Sequence, residues 1–252
     1  MPGRGAPGTG ASRGAAARSS STEDTLDLAL PSELPAPFPA GEAPPAGPPP
    51  AGRARPGARL LDPDLLDDVA EWPAASTPRG VFQLVPVRLR RDLPLITAWM
   101  NDPAVAAFWE LAGEEERTAV HLRAQLDGDG RSLPCLGVLD GTPMSYWEIY
   151  RADLDPLARH YPARPHDTGV HLLIGRVADR GRGLGTVLLR AVRDLVLGHR
   201  PRCTRVLAEP DLRNTPSIAA FLGAGFRFSA EVDLPGKRAA LMIRDRAQRD
   251  GH

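Results

Sequence analysis

The sequence predicts an α+β (α/β) fold, a mixed sheet with helices packed on it, and three observations carry that prediction. From Val81 onward, short apolar runs with strand character alternate with amphipathic helical runs. Two strand pairs are joined at turn dipeptides, Asp140-Gly141 and Pro235-Gly236. The resulting element order is β–α–α–β–β–β–α–β–α–β–β.

Taken in order, residues 81–90 (VFQLVPVRLR) read as the opening strand. Residues 91–103 read as a short helix stopped by Asn101-Asp102-Pro103. Residues 104–110 and 114–128 read as further helix, the second with an acidic first turn. Residues 133–152 form two strands about Asp140-Gly141, and 167–177 (DTGVHLLIGRV) the next strand. A glycine loop then opens the helix at 184–198. Residues 203–211 read as a strand, 214–225 as a helix ending at glycine, and 226–246 as two closing strands.

Residues 1–75 are rich in Pro, Ala and Gly and carry almost no periodic apolar pattern. Such a segment buries too little surface to offset its ordering entropy and reads as a disordered extension. One exception, residues 58–72, reads as a short helix or docking segment, and 73–79 lead into the folded part. The folded domain is expected over 80–246, with a tail at 247–252.

Charge excludes more than it suggests. The 31 basic and 31 acidic residues give zero net charge, so no global field favours nucleic acid or an anionic membrane. No apolar run reaches the roughly 18–20 residues of a membrane span, and the N-terminus lacks the apolar core of a signal peptide. Cys135 and Cys203 make neither a disulfide framework nor a cysteine zinc site. His121, His160, His166 and His199 lack metal-ligand spacing, so no metal is expected. A reduced, cytoplasmic protein follows. Of the 31 basic residues only Lys237 is a lysine.

The loop Arg180-Gly181-Arg182-Gly183-Leu184-Gly185 lacks the third glycine of a dinucleotide fingerprint, because Thr186 stands there. It also lacks the Gly-Lys-Ser/Thr of a phosphate-binding loop of the Walker type. Arg-x-x-Gly-x-Gly before an amphipathic helix can aim free N–H groups at an oxygen-rich anion, with the helix dipole assisting. On that spacing alone a plain glycine turn fits equally well. About thirty residues on come Asn214, Ser217, Phe221, Gly225 and Phe226.

The two motifs together resemble those of the GNAT acetyltransferase superfamily, over about residues 80–246. The second motif departs from the usual Asn-x-x-Ala-x-x-x-Tyr-x-x-x-Gly-Phe at Ser217 and Phe221. The resemblance implies a mostly antiparallel sheet with a splayed strand pair that binds acyl-CoA, taken as acetyl-CoA or another acyl-CoA. It implies cofactor contacts from Leu173 and Ile174 on the strand, from Arg180, Gly181, Arg182, Gly183, Leu184, Gly185 and Thr186 in the loop, and from Asn214, Ser217 and Phe221. Phe221 stands where many members carry a tyrosine that protonates the leaving thiolate, which leaves the general acid unassigned; Ser217 is one candidate.

Further strings resemble the siderophore-biosynthesis acyltransferase branch, which includes aerobactin N6-hydroxylysine acetyltransferases and mycobactin lysine N-acyltransferases. They are WMNDPAVAAFW (99–109), YWEIY (146–150), DTGVHLLIG (167–175), AEPDLRN (208–214) and LPGKRAALM (234–242). The branch implies His171 as general base with Asp211 as its partner, acting on the side-chain amine or hydroxylamine of lysine or a related diamine. Strand alternation agrees in outline, since it sets His171 on one face with Leu173 and Gly175. Without the resemblance, a satisfied half-buried histidine and a helix cap describe His171 and Asp211 as well.

Trp99, Trp109 and Tyr146 would then line an aromatic slot for the acceptor's aliphatic stem, with plain core as the other reading. Glu148 would meet an ammonium or stand as a solvated strand carboxylate. Lys237 and Arg213 would meet a phosphate or carboxylate or remain surface charge. Asp102 reads as a helix cap. An acyl carrier protein and a siderophore synthetase are the candidate macromolecular partners. Two other functions stay open at this level: aminoglycoside 6'-N-acetyltransferase, and a non-catalytic acyl-CoA-binding module.

Overall fold

The computed structural model describes Leu66 and residues 68–247. The chain enters its sheet as a hairpin, β1 (Ala75–Thr77) pairing antiparallel with β2 (Gly80–Pro86). Three helices follow: α1 (Leu89–Met100), α2 (Pro103–Trp109) and α3 (Glu115–Leu126). The Asn-Asp-Pro signal separates the first two. Asp102 accepts from the Ala104 N–H at 3.0 Å, and Pro103 takes the first helical position, where no N–H is needed.

Next come the hairpin strands β3 (Ser132–Leu139) and β4 (Thr142–Arg151), joined by Asp140 and Gly141 with φ of 46° and 77°. A two-residue turn of this hand matches the twist of the flanking strands. The remaining elements are β5 (Thr168–Ile174), α4 (Leu184–His199), β6 (Arg205–Ala208), α5 (Thr215–Gly223), β7 (Arg227–Leu234) and β8 (Lys237–Asp245).

The eight strands form one sheet in the order β1-β2-β3-β4-β5-β6-β8-β7. Every neighbouring pair is antiparallel except β5 with β6. That one parallel pair shares register only at Thr168↔Val206 and Gly169↔Leu207, after which the strands part. The mostly antiparallel sheet with a splayed pair is the expected architecture.

Side chains alternate across β5. Val170, Leu172 and Ile174 join the main core with Leu188 and Val192 of α4 and Phe221 of α5. Leu173 joins the opposite core, with Trp99, Trp109, Leu122 and Tyr146 on and under α1–α3. His171 therefore faces the α1–α3 side.

The folded unit begins before residue 80. Leu66, Val69 and Trp72 are buried in the main core, and Trp72 stacks on His199 of α4 with ring centroids 5.6 Å apart. Residues 69–71 form a single 3₁₀ turn, and β1 occupies part of the segment read as a lead-in. All three anchors fall within residues 58–72, the segment read as a short helix or docking segment, and its described part docks on the core. The extension up to residue 65 and the tail after residue 247 lie outside the described residues. Among the described residues no helix is long and apolar enough to cross a membrane.

Where β5 and β6 do pair, a buried charge pair ties them to the preceding loop. Asp167 is fully buried; it accepts from both Nε and Nη2 of Arg205, from Tyr161 Oη at 3.0 Å and from the Arg164 N–H at 2.8 Å. Removing the acid would strand the Arg205 guanidinium without its counter-charge. Asp167→Ala is therefore expected to destabilise the fold by about 3–5 kcal/mol, measured by urea denaturation; a loss of stability no larger than that of a surface substitution would refute this.

Candidate active site

His171 sits midway along β5 and is register partner to Glu148 on β4. Its Nδ1 lies 3.0 Å from Glu148 Oε2, and its Nε2 lies 2.6 Å from Glu209 Oε1. Glu209 is the first residue beyond β6, and it still keeps step with His171 where the two strands have ceased to pair. Extending the parallel register by two positions sets residue 209 against residue 171.

Both carboxylates are anchored further. Glu209 Oε2 accepts from Tyr150 Oη at 2.7 Å, while Lys237 Nζ donates to the Glu209 carbonyl at 2.8 Å and lies 3.9 Å from Oε1. Glu148 Oε1 accepts from Tyr146 Oη at 2.8 Å and from Gln125 Nε2 at 2.6 Å, and it stands 2.6 Å from His121 Nε2. Tyr150 lies over Gly169, where an added Cβ would come within 2.1 Å of its ring. The Tyr150 ring centroid lies 4.8 Å from that of His171, and Trp109 meets His171 edge-on at 6.2 Å.

Burial sets the electrostatics. His171 is 5% exposed and Glu148 and Glu209 2% each. Burial opposes the charged ring, but the Glu209 charge and the hydrogen bonds to both carboxylates outweigh it and raise His171 to about 9. Burial likewise opposes ionised Glu148 and Glu209. His121 and His171 beside the first, and His171 and Lys237 beside the second, still hold them well below the usual carboxylate range. Burial and the adjacent carboxylates push the Tyr146 and Tyr150 phenols up, and burial lowers the Lys237 ammonium against the pull of Glu209.

The anion loop stands at the far end of the open β5 edge. Gly181 and Gly183 have φ of 67° and 71°, the left-handed backbone that the turn into α4 requires. No main-chain N–H from Gly181 to Thr186 has a hydrogen bond among the described residues, and α4 runs for 16 residues behind them. Asn214 caps α5, accepting from the Ser217 N–H at 3.1 Å, while its buried Nδ2 has no partner among the described residues. The Gly175 N–H donates to the Met144 carbonyl of β4. By alternation, the main-chain groups of Leu172 and Ile174 point to the parted side. A diphosphate fits the free amides, and an amide-bearing arm fits the open edge and the orphan Asn214 donor.

Several expected contacts stand elsewhere. Asp211 is not the partner of His171: its carboxylate is taken by Arg213 at 2.7–3.2 Å, and its backbone bridges to Ala239 of β8. Two residues beyond Glu209, it has already left the histidine. Arg180 turns inward rather than toward an anion, donating to the carbonyls of Ile174 and Gly175 and to Asp102, each at 2.9 Å. Lys237 supports Glu209 and is buried, so it offers no free ammonium at the surface. Glu148 is a buried network member, not a solvated carboxylate.

Phe221 packs edge-on against Phe226, and Ser217 is buried at the start of α5. Trp99 lies over Gly175, while Trp109 and Tyr146 pack edge to face at 5.4 Å. All three are buried in the α1–α3 core. A cleft of about 430 Å³ between β1 and α4, lined by Thr77, Arg190, Leu195 and His199 among others, contains none of these groups.

Glu209 and His121 are functional candidates the sequence reading passed over. The first follows from the β5–β6 register, which no local sequence pattern supplies. The second, a histidine on the buried face of α3, gave no local signal.

The family description "Acetyltransferase (GNAT) domain" matches residues 88–234. The chain is 39% identical over 184 residues to the lysine N-acyltransferase MbtK of Mycolicibacterium paratuberculosis, covering 72% of this chain and 82% of that protein. It is 37% identical over 155 residues to an N(6)-hydroxylysine O-acetyltransferase of Escherichia coli, covering 62% of this chain and 49% of that one. Among solved structures, an uncharacterized protein of Bacillus halodurans superposes with a TM-score of 0.61 at 34% identity, over 66% of this chain and 83% of that one. The fold, the loop of free amides and the match over most of the sheet agree, and the chain belongs to the GNAT acetyltransferase family, as an acyltransferase that draws on acyl-CoA.

Proposed function

We propose that this acyltransferase moves an acyl group from acyl-CoA to the side-chain amine or hydroxylamine of lysine or a related diamine, as a step in siderophore biosynthesis. The observation that carries the reading is the imidazole of His171 held between Glu148 and Glu209 beside the open edge of β5. The names of the relatives supply the acceptor class.

In this reading the main-chain amides of residues 181–186 grip the diphosphate, and Asn214 Nδ2, the Leu172 main chain and the Ile174 N–H hold the arm, the Ile174 carbonyl being taken by Arg180. A main-chain N–H at that edge polarises the thioester carbonyl. Both nitrogens of His171 are engaged, so the ring collects a proton together with Glu209 and Glu148 rather than alone. The acceptor nitrogen attacks the carbonyl carbon, its proton passes to this group, and the C–S bond breaks with its electron pair on sulfur. With phenylalanine at 221, the thiolate leaves with no aromatic hydroxyl from that position. A thiol pKa of about 8.5 makes that tolerable.

Acyl-CoA consumption is expected to depend on N6-hydroxylysine, lysine, ornithine or cadaverine in a panel that also contains kanamycin and acyl carrier protein donors. Turnover with kanamycin alone would overturn the reading in favour of an aminoglycoside enzyme.

His171→Gln is expected to lower kcat by about 10²–10⁴ while acyl-CoA Kd, measured by calorimetry, stays within about threefold. Retained turnover would remove His171 from the chemistry.

The pH profile has a definite sign. The proton-accepting form has lost the proton that His171 holds, so kcat/KM rises with pH along a limb near about 9. Glu209→Gln removes the charge that raises His171, so the limb is expected to move toward lower pH by about one unit or more. A limb that stays put in the variant would contradict the assignment.

A further inference from the structure

His121, on α3, is the buried histidine that the acyl-transfer chemistry leaves unused. Its Nε2 stands 2.6 Å from Glu148 Oε1, and the other oxygen of the same carboxylate holds His171 Nδ1 at 3.0 Å. Imidazole and carboxylate thus alternate without a gap: His121, Glu148, His171, Glu209. His121 is 6% exposed, and its Nδ1 has no hydrogen-bond partner among the described residues. Gln125 stands at the inner end, with Nε2 3.0 Å from His121 Nε2 beside Glu148, and accepts from Ser132 Oγ at 2.8 Å.

The stoichiometry of acylation gives such a chain a task. An ammonium acceptor reacts as R–NH₃⁺ + R'CO–S–CoA → R'CO–NH–R + CoA–SH + H⁺. One N–H proton must leave before the nitrogen can attack; the second ends on the thiolate once the C–N bond has formed and the C–S bond has broken. The first has no destination in the products, so a buried site must export it. A hydroxylamine is a weaker base and arrives neutral. Its reaction to hydroxamate and thiol exports nothing.

We propose that His121 is a positioning residue that acts through Glu148 as the outer station of a proton relay, passing the proton released by an ammonium acceptor from His171 toward solvent. The inference rests on the acyl-transfer reading above. A purely structural His121 would only help fill the coordination of Glu148, which Tyr146, Gln125 and His171 already supply. The groups that bear on His171 are Glu148 and Tyr150 from β4, Trp109 from α2, Glu209 after β6, Lys237 of β8 through Glu209, and the charge of Asp155.

The test compares wild type, His121→Gln and His121→Ala with lysine and with N6-hydroxylysine. The glutamine can keep a hydrogen bond to Glu148 but cannot carry a proton. The relay expects His121→Gln to lose about tenfold or more in kcat with lysine. Its kcat with the hydroxylamine should stay within about twofold, and Tm and acyl-CoA Kd should be unchanged. Added imidazole should restore the lysine activity of His121→Ala. Equal loss with both acceptors, no loss with lysine, or failure of imidazole to rescue would overturn it.

If wild type acylates neither acceptor, the acyl-transfer reading falls, and the relay is then judged on the free protein. In ¹⁵N spectra the His171 midpoint should move in His121→Gln. An unchanged His171 titration would overturn the relay.

Discussion

Two residues of pairing between β5 and β6 set the terms for everything else in this fold. A parallel pair that continued would have consumed the main-chain groups of Leu172 and Ile174 and buried them in a ladder. Because the strands part after Gly169, that edge is left for a ligand's arm, while the first residue past β6 keeps step with the histidine of β5 and meets it. One departure from regular pairing thus opens the slot beside the chemistry. Asp167 and Arg205 secure the paired end, so the opening starts from a fixed point.

Burying ionised groups is costly unless each finds a partner, and this site meets that condition by closing on itself. Every oxygen of Glu148 and Glu209 has a donor or an imidazole nitrogen, and Lys237, the lone lysine of the chain, is spent on Glu209. The arrangement lets His171 hold a proton more firmly than a free imidazole. Reactivity then depends on the group as a unit, because no member can change charge without its neighbours feeling it.

Much of this was legible in the chain. Period-two runs, the Asp140-Gly141 turn and the glycine loop each report local physics, and local physics is what a single sequence carries. The expected sheet and helices follow from them, and so does the side of β5 on which His171 lies. Asp211 in place of Glu209 was the characteristic miss. Which of two nearby carboxylates reaches a histidine on another strand depends on where the ladder ends, and hydrogen-bond register between distant segments has no local signature. Arg180 misled for the opposite reason: its place in the loop motif suggested an anion, whereas three inward acceptors at Ile174, Gly175 and Asp102 claim it. His121 is polar at a buried helical position, a signal visible only once burial is known.

The early anchors have a practical bearing. Trp72 lies flat against His199 at the end of α4, with Leu66 and Val69 wedged into the same core. A recombinant fragment trimmed at the compositional border near residue 75 would therefore lack a wall of the domain and leave an apolar flank of the phosphate-side helix in water. Fragments meant to crystallise or to report on the isolated domain belong on the N-terminal side of Leu66.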